Sequence, residues 1–169
     1  MSAPVPDKPR IEKLTLAHAL ADFDCGSAPL NRFLQSFALI NQGMGSSATY
    51  LAMVADAVAG YHSLTVGAAS YNDAPERLAK GLPRYSIPVM VIARLAVDRR
   101  FQGQGFGSAL LRDAMRRTIA ASDIAGMRGV IVHAKDEPAA AFYRRFGFTP
   151  FPERPLTLYR LLKDIRARP

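Results

Sequence analysis

Three glycines fall within the six-residue segment QGQGFG, residues 102–107, and this spacing constrains the fold more than any other feature of the chain. The segment follows an apolar run typical of a buried strand, VMVIARLAV at 89–97, and precedes the helical pattern SALLRDAMRRTIA at 108–120. Because a strand, a short turn and a helix in this order build a crossover to a parallel neighbour, the segment predicts an α/β architecture. Glycines also let a phosphate approach the free N–H groups of a helix start, since no Cβ stands in the way.

Strand and helix patterns alternate along the rest of the sequence. Strands are predicted at 10–16, 49–55, 58–66, 129–134 and 156–162, and residues 68–87 are predicted to form a long loop with one helical turn at PERLAK. The order predicts an α/β (α+β) fold with a mixed, partly parallel central sheet of six to seven strands and helices on both faces.

Two further helices are predicted from apolar spacing and end signals. Ser27 is placed to cap the first, whose apolar stripe we expect to pack on the core. The second begins at Glu137 and runs to Phe146, since Gly147 suits a left-handed residue just past a helix end. The stripe of the first helix consists of Leu30, Phe33, Leu34, Phe37 and Ile40.

The chain length of 169 residues predicts one domain at 10–169, preceded by a flexible, Pro-rich segment at 1–9. No apolar run reaches the roughly 18 residues that a membrane helix needs, and the first ten residues lack the apolar centre of a signal peptide. The single cysteine, Cys25, cannot form an internal disulfide and is expected to be a small buried apolar residue. These features predict a cytoplasmic protein with no membrane partner.

Positive charge is concentrated in the second half of the chain. Residues 1–93 hold 7 Lys and Arg against 7 Asp and Glu, whereas residues 94–169 hold 15 against 7, so the formal net charge of +8 belongs to the second half. Such a surface attracts phosphates, either of a nucleotide cofactor or of a nucleic acid. The alternative is a solvated surface that only keeps the protein soluble.

The glycine segment fits some phosphate-binding patterns poorly. A Walker loop requires Gly-Lys-Ser/Thr, whereas Gly107 is followed by Ser108 and Ala109. A dinucleotide fingerprint requires a third glycine after Gly103-x-Gly105 and an acid on a second strand, which the sequence does not supply. A glycine-rich connector without a ligand is the alternative to a phosphate site.

The pattern Gln102-x-x-Gly105-x-Gly107 resembles the acyl-coenzyme A signature of the GNAT superfamily of N-acetyltransferases. Its flanks, RLAVDRRFQGQGFGSALL at 94–111 and AFYRRFGF at 141–148, are similar to the same family. The resemblance implies that acetyl-CoA, the acetyl donor, lies between splayed fourth and fifth strands, with no metal. It implies cofactor-binding groups at Leu95, Ala96, Val97, Gln102, Gly103, Gln104, Gly105, Phe106, Gly107 and Ser108.

The same resemblance implies that Tyr143 is the catalytic general acid that protonates the leaving thiolate, while the N–H of Val97 polarises the thioester carbonyl. The alternative role of Tyr143 is that of a core aromatic. Direct transfer is favoured, because no Ser/His/Asp or Cys/His arrangement indicates a covalent intermediate. His133, Asp136 and Glu137 could act as a general base, although a histidine that closes a strand is often structural. An α-amino group needs little such help, since its pKa of about 7.7–8.0 leaves much of it neutral.

The first half of the chain adds a narrower resemblance. Residues 22–54 are similar to the acetyltransferase toxins of type II toxin–antitoxin modules, which acetylate the α-amino group of aminoacyl-tRNA and block translation. This resemblance implies aminoacyl-tRNA as substrate, a ribbon-helix-helix antitoxin as partner and a homodimer. The matching residues are Phe23, Cys25, Gly26, Leu30, Asn31, Phe33, Leu34, Asn41, Gln42, Thr49 and Tyr50. The candidate contacts to tRNA are Arg94, Arg99, Arg100, Arg144 and Arg145, of which Arg99 and Arg100 could instead bind the phosphates of the coenzyme.

Two other functions stay open at this point. One is a GNAT enzyme that acetylates a small amine or a protein amino group, for which the basic surface would be incidental. The other is a non-catalytic module that binds coenzyme A or nucleic acid, against which Tyr143 and the intact glycine segment argue.

Overall fold

A computed structural model describes residues 9–168 of the chain. Apart from Pro9, the segment predicted to be flexible lies outside the described residues. Packing groups residues 9–63 with 94–113 into one compact unit and residues 64–93 with 114–168 into another, here called unit 1 and unit 2. The assignment of 10–169 to a single domain stays a prediction.

Seven strands form one mixed sheet, as predicted: β1 (Arg10–Lys13), β2 (Ala48–Val54), β3 (Ala57–Ala69), β4 (Ile87–Val97), β5 (Gly129–His133), β6 (Thr149–Phe151) and β7 (Arg154–Leu161). Their order across the sheet is β1-β2-β3-β4-β5-β7-β6. The parallel pair is β4 and β5, with Val89 opposite Gly129 and Ile92 opposite Val132, whereas β1 with β2 and β5 with β7 are antiparallel. The helices are α1 (Ala28–Arg32), α2 (Ala38–Gly43), α3 (Glu76–Ala79), α4 (Phe106–Ser122), α5 (Glu137–Arg145) and α6 (Leu162–Ala167).

Helices cover both faces of the sheet within unit 1. Leu51 of β2 packs in a cluster with Phe33 and Leu34, which lie in the helical segment between α1 and α2. The next residue, Ala52, points the other way and packs with Phe106 and Leu110 of α4, because successive side chains of a strand face opposite sides.

The apolar stripe of the first helix departs from the prediction in its second half. A π-helical turn, Phe33–Phe37, connects α1 to α2 and rotates the later residues away from the direction that a regular helix gives them. Phe37 and Ile40 are therefore 49% and 59% exposed, and Ala38 takes the buried position instead. The expectation that Phe37 and Ile40 pack on the core is wrong.

Unit 2 has its own core, in which Ile87 of β4, Ile131 of β5 and Leu161 of β7 pack with Leu78 of α3. Two of its elements are absent from the sequence prediction: the three-residue strand β6, and the helix α6, which follows the last predicted strand and buries Ile165. Within residues 9–168, no helix has the length and apolarity needed to cross a membrane.

Candidate active site

The glycine segment joins β4 to α4 within unit 1. After Asp98, a 3₁₀ turn at Arg99–Phe101 leads to Gly103 and Gly105, whose φ angles are +76° and +88°. These are left-handed conformations that residues with a Cβ rarely adopt. A Cβ placed on either glycine would meet no atom of the described residues within 4 Å. The two glycines therefore set the path of the backbone and leave its outer side open.

The start of α4 has the properties of an anion site. The carbonyl of Gly105 accepts the N–H of Ala109 at 3.1 Å, and the N–H groups of Phe106, Gly107 and Ser108 precede the first intrahelical bond. Within the described chain, the first turn of α4 holds no acidic side chain. A diphosphate would meet free amides and the positive end of the helix dipole there, so the residues fit the coenzyme that the sequence implies.

The end of β4 is held on the side of β3. A Cβ on Gly60 would lie 2.7 Å from the carbonyl oxygen of Ala96, and the N–H of Asp98 donates to the carbonyl of Ala59 at 2.8 Å. The parallel pairing with β5 covers Val89–Ile92, and β4 then continues to Val97. Leu95, Ala96 and Val97, the predicted contacts for the pantetheine chain, all lie in this continuation.

Glutamines of the loop stabilise its shape through their side chains. The Nε2 of Gln102 donates to the carbonyl of Val97 at 2.9 Å and to that of Cys25 at 3.3 Å. The Nε2 of Gln104 donates to the carbonyl of Arg100 at 3.2 Å. Phe106 is buried and packs edge-to-face on Phe101. The residues predicted from the glycine pattern are thus brought together, with side chains that hold the loop and backbone amides available for a ligand.

Tyr143 lies in α5, which belongs to unit 2. The residue is 7% exposed, and its ring packs edge-to-face against Phe142 and Phe148, with centroids 5.2 and 5.7 Å away. Burial raises the pKa of Tyr143 to about 12, so the phenol carries its proton at neutral pH. Protonation is what a general acid requires, although the same burial also fits a core aromatic.

The three candidate bases are each engaged in a local interaction of unit 2. Asp136 caps α5 by accepting the N–H of Ala139 at 2.9 Å, and Glu137 forms an ion pair with Arg144. The Nδ1 of His133 lies 3.2 Å from the hydroxyl oxygen of Thr157. These contacts are structural, and they agree with a mechanism that uses no strong side-chain base.

The five candidate arginines are distributed over both units. In unit 1, the guanidinium of Arg94 lies 3.6 Å from the centre of the Phe33 ring, and Arg99 forms a long ion pair of 3.7 Å with Asp24. Arg100 instead binds the buried carboxylate of Asp98. In unit 2, Arg144 pairs with Glu137, and Arg145 lies 5.9 Å from the centre of the Phe142 ring.

The sequence analysis did not identify two buried carboxylates, those of Asp98 and Asp113. Asp98 accepts the backbone N–H groups of Asp24 and Arg100, and the carboxylate of Asp113 in α4 lies 2.8 Å from the Nε2 of His62 in β3. The histidine and its neighbour Tyr50 stack at 5.2 Å. Each aspartate stands next to arginine in the sequence, as an exposed acid often does, so no local pattern marks either as buried. Among residues 9–168, no group of three or more His, Cys, Asp or Glu side chains could hold a metal ion.

Comparison with known proteins supports the assignment of the glycine segment to an acetyltransferase. Residues 46–150 match the family model of the acetyltransferase (GNAT) domain. The chain is 39% identical over 155 residues to the tRNA-acetylating toxin of Mycobacterium tuberculosis, covering 92% of this chain and 93% of the relative.

Two solved structures extend the comparison to the fold. The structure of AtaT complexed with acetyl-methionyl-tRNAfMet superposes with a TM-score of 0.86 at 32% identity, covering 94% of this chain and 97% of the other. A tyrosine-to-phenylalanine mutant of the AtaT toxin, bound to the C-terminus of the antitoxin AtaR and acetyl-CoA, superposes with a TM-score of 0.79 at 33% identity, covering 95% and 97%. The chain therefore belongs to the GNAT acetyltransferase family, and within it the chain is similar to the toxins that acetylate tRNA.

Proposed function

We propose that the chain transfers an acetyl group from acetyl-CoA to the α-amino group of aminoacyl-tRNA and thereby blocks translation. The observation that carries the proposal is the cradle formed by two left-handed glycines at the start of α4, whose free amides suit a diphosphate. Support for the acceptor comes from the relatives, one of which is named for tRNA acetylation and another of which is solved with an acetylated aminoacyl-tRNA.

In this proposal, acetyl-CoA supplies an activated acetyl group as a thioester. The amides of residues 102–108 bind its diphosphate, and backbone groups of Leu95, Ala96 and Val97 bind the pantetheine chain as a neighbouring strand would. The N–H of Val97 donates to the carbonyl oxygen of the thioester, where negative charge develops during attack. Preorganised amides of this kind need no rearrangement when the charge forms.

Transfer is direct in the proposed reaction. The neutral amine nitrogen bonds to the acetyl carbon, the bond between that carbon and sulfur breaks, and the sulfur leaves with the bonding electron pair. Tyr143 gives its phenolic proton to that sulfur, and the proton lost by the amine restores the protonated phenol. The two transfers leave Tyr143 protonated at the end of each turnover, as it was at the start.

The acceptor explains why a strong base is dispensable. An α-amino group has a pKa of about 7.7–8.0, whereas a lysine amine has one of about 10.4, so only the former is substantially neutral near pH 7.5. His133, Asp136 and Glu137 are already engaged in local contacts, and none is assigned as a base.

Charge supports a nucleic-acid substrate. The excess of +8 lies in residues 94–169, and the exposed arginines among the five candidates can bind tRNA phosphates after exchanging their present contacts.

We infer further that the chain forms a homodimer, acts in the cytoplasm where charged tRNA is found, and is neutralised by a ribbon-helix-helix antitoxin. The antitoxin AtaR bound to AtaT supports the last of these.

The test is an acetylation assay with radiolabelled acetyl-CoA. Purified protein should label charged tRNA and leave the same tRNA unlabelled after its aminoacyl ester has been hydrolysed. Label that enters only polyamines or proteins would instead establish the small-amine or protein acetyltransferase. Binding of acetyl-CoA without any transfer would establish the non-catalytic module.

A further inference from the structure

The carboxylate of Asp98 is almost fully enclosed, with 1% of the residue exposed. Asp98 is the first residue after β4 and begins the loop to α4, residues 98–105, here called the coenzyme loop. Its Oδ1 accepts the backbone N–H of Arg100 at 2.8 Å and the Nε of the same residue at 3.0 Å. Its Oδ2 accepts the Nη2 of Arg100 at 3.2 Å and the backbone N–H of Asp24 at 3.0 Å. One side chain therefore binds two segments of unit 1 that are 74 residues apart in sequence.

Residues 22–31 form the second segment that Asp98 binds. This segment also contacts the coenzyme loop through groups other than the carboxylate of Asp98. The N–H of Arg99 donates to the carbonyl of Asp24 at 2.8 Å, and the Nε2 of Gln102 donates to the carbonyl of Cys25 at 3.3 Å. Gly26 has a φ of +89°, and a Cβ there would lie 3.1 Å from the Nε of Arg99. The two segments are thus joined by three hydrogen bonds and one ion pair at Asp24 and Cys25, and Arg99 leaves little room for a side chain at Gly26.

Asn31 stabilises the 22–31 segment internally. Its Oδ1 accepts the N–H of Cys25 at 2.9 Å, and its Nδ2 donates to the Oδ1 of Asp24 at 3.0 Å. The Oδ1 of Asp24 also accepts the N–H of Gly26 at 2.9 Å. The hydrogen bonds from Asn31 and Gly26 lower the pKa of Asp24 below its usual value, which keeps this carboxylate charged.

We propose that Asp98 is a positioning residue for the diphosphate of acetyl-CoA, because its carboxylate fixes the entrance of the coenzyme loop on the 22–31 segment and so sets the direction of the amides at 102–108. The inference rests on the proposed binding of acetyl-CoA and assigns Asp98 no contact with the coenzyme itself. Burial alone would raise the pKa of Asp98, but the hydrogen bonds from Arg100 and Asp24 outweigh it and lower that pKa. The carboxylate is therefore charged and can accept on both oxygens.

An Asp98→Asn variant tests this arrangement with almost no change in volume. Its amide has one acceptor oxygen, so the NH₂ group must face N–H donors either of Arg100 alone or of Arg100 and Asp24. The first choice loses both hydrogen bonds at Oδ1, and the second loses those from the Nη2 of Arg100 and the N–H of Asp24, so either choice weakens the junction between the two segments. Since hydrogen bonds to a charged group are stronger than those to a neutral one, we expect the Kd for acetyl-CoA, measured by calorimetry, to rise about ten- to a hundredfold.

A second readout separates positioning from general loss of structure. S-acetylpantetheine carries the same thioester without the diphosphate, so kcat/KM with this donor should stay within about twofold of the wild-type value. Asp56→Asn is the matched control: it makes the same charge change in unit 1, at the exposed turn between β2 and β3, and should bind acetyl-CoA as the wild type does.

The inference is overturned if folded Asp98→Asn binds acetyl-CoA within twofold of the wild type, or if it loses activity equally with both donors. Should Asp98→Asn fail to fold, Asn31→Ala decides, because it loosens the 22–31 segment without touching the loop and should raise the Kd severalfold. An unchanged Kd in Asn31→Ala would then overturn the inference. Absence of acetyl-CoA binding to the wild-type protein would instead contradict the proposed function, so the two failures are distinguishable.

Discussion

Tyr143 combines burial with a phenol that keeps its proton, and the proposed mechanism gives it one task. Tyr143→Phe keeps the ring and its packing against Phe142 and Phe148 but removes the proton that the leaving sulfur receives. Because general acids typically contribute about 10²–10⁴-fold, we expect kcat to fall at least a hundredfold while the Kd for acetyl-CoA is unchanged. Single-turnover transfer to charged tRNA and calorimetry measure the two quantities.

Tyr159→Phe is the control for this substitution, since Tyr159 is a second buried tyrosine of unit 2 and packs edge-to-face on Phe151. Its kcat should equal that of the wild type. Equal activity in Tyr143→Phe and Tyr159→Phe would make Tyr143 a core aromatic and remove it from the mechanism.

The raised pKa of Tyr143 also makes a prediction about stability. An unfolded tyrosine ionises near pH 10, whereas folded Tyr143 does so at about 12, so above pH 10 the unfolded state releases a proton that the folded state retains. The free energy of unfolding should therefore fall as pH rises from 10 to 12, and Tyr143→Phe should remove about 1.4 kcal/mol per pH unit of that decline. Urea unfolding at pH 9, 10.5 and 11 measures it.

Tyr61 contributes to the same decline, because burial raises its pKa too and its hydroxyl donates to the carbonyl of Leu30 at 2.7 Å. Tyr143→Phe should consequently reduce the loss of stability at high pH without abolishing it. Parallel pH profiles for the wild type and the variant would contradict the assigned burial of Tyr143.

Among the elements, the coenzyme loop depends on the conformation of its glycines. Gly105 has a φ of +88° in open space, so Gly105→Ala introduces backbone strain without a clash. We expect the free energy of unfolding to fall by about 1–2 kcal/mol and the affinity for acetyl-CoA to fall with it, because the amides at the start of α4 change direction. Chemical denaturation and calorimetry measure the two effects.

Gly43→Ala provides the contrast. Gly43 ends α2, a Cβ there would meet nothing within 4 Å of it in the described residues, and its φ lies outside the left-handed region. Alanine is favoured over glycine in helices by up to about 1 kcal/mol, so this variant should be as stable as the wild type or more so. A stability loss of similar size in both variants would show that the strain at Gly105 is not the cause.

Elements with strong local patterns were predictable. The apolar run at 89–97 became β4, and the glycine pattern placed the loop between β4 and α4 correctly. The π-helical turn at Phe33–Phe37 was not predictable, because periodicity assumes 3.6 residues per turn and tertiary packing selects the insertion. The helix α6 was not predicted, because charged residues separate its buried apolar residues, Leu162 and Ile165, and leave no clear helical pattern.

The candidate site was predictable only where it is local. Spacing identifies Gly103 and Gly105, since a backbone requirement leaves a sequence signature. The contact of Asp98 with Asp24 spans 74 residues and depends on how unit 1 folds, which no local pattern encodes. Tyr143 was assigned by resemblance alone, and its catalytic role stays a prediction.

Across the whole molecule, the charge distribution predicts how activity responds to salt. Binding of tRNA through its phosphates releases counterions, so log kcat/KM for charged tRNA should fall linearly with log[NaCl]. Arg144 is an exposed candidate contact of unit 2. Arg144→Gln should make this slope shallower by about 0.7–0.9, the contribution of one phosphate contact, while also lowering kcat/KM at low salt.

Arg84→Gln makes the same charge change at an exposed residue of the first half of the chain, which has no net charge excess, so its slope should match that of the wild type. The comparison isolates position from total charge, since both variants have the same net charge. If both variants change the slope equally, long-range attraction of tRNA to the net positive charge of the protein explains binding, and Arg144 makes no phosphate contact of its own. A shallower slope for Arg144→Gln alone would place a phosphate at Arg144 on α5, the helix that also carries Tyr143.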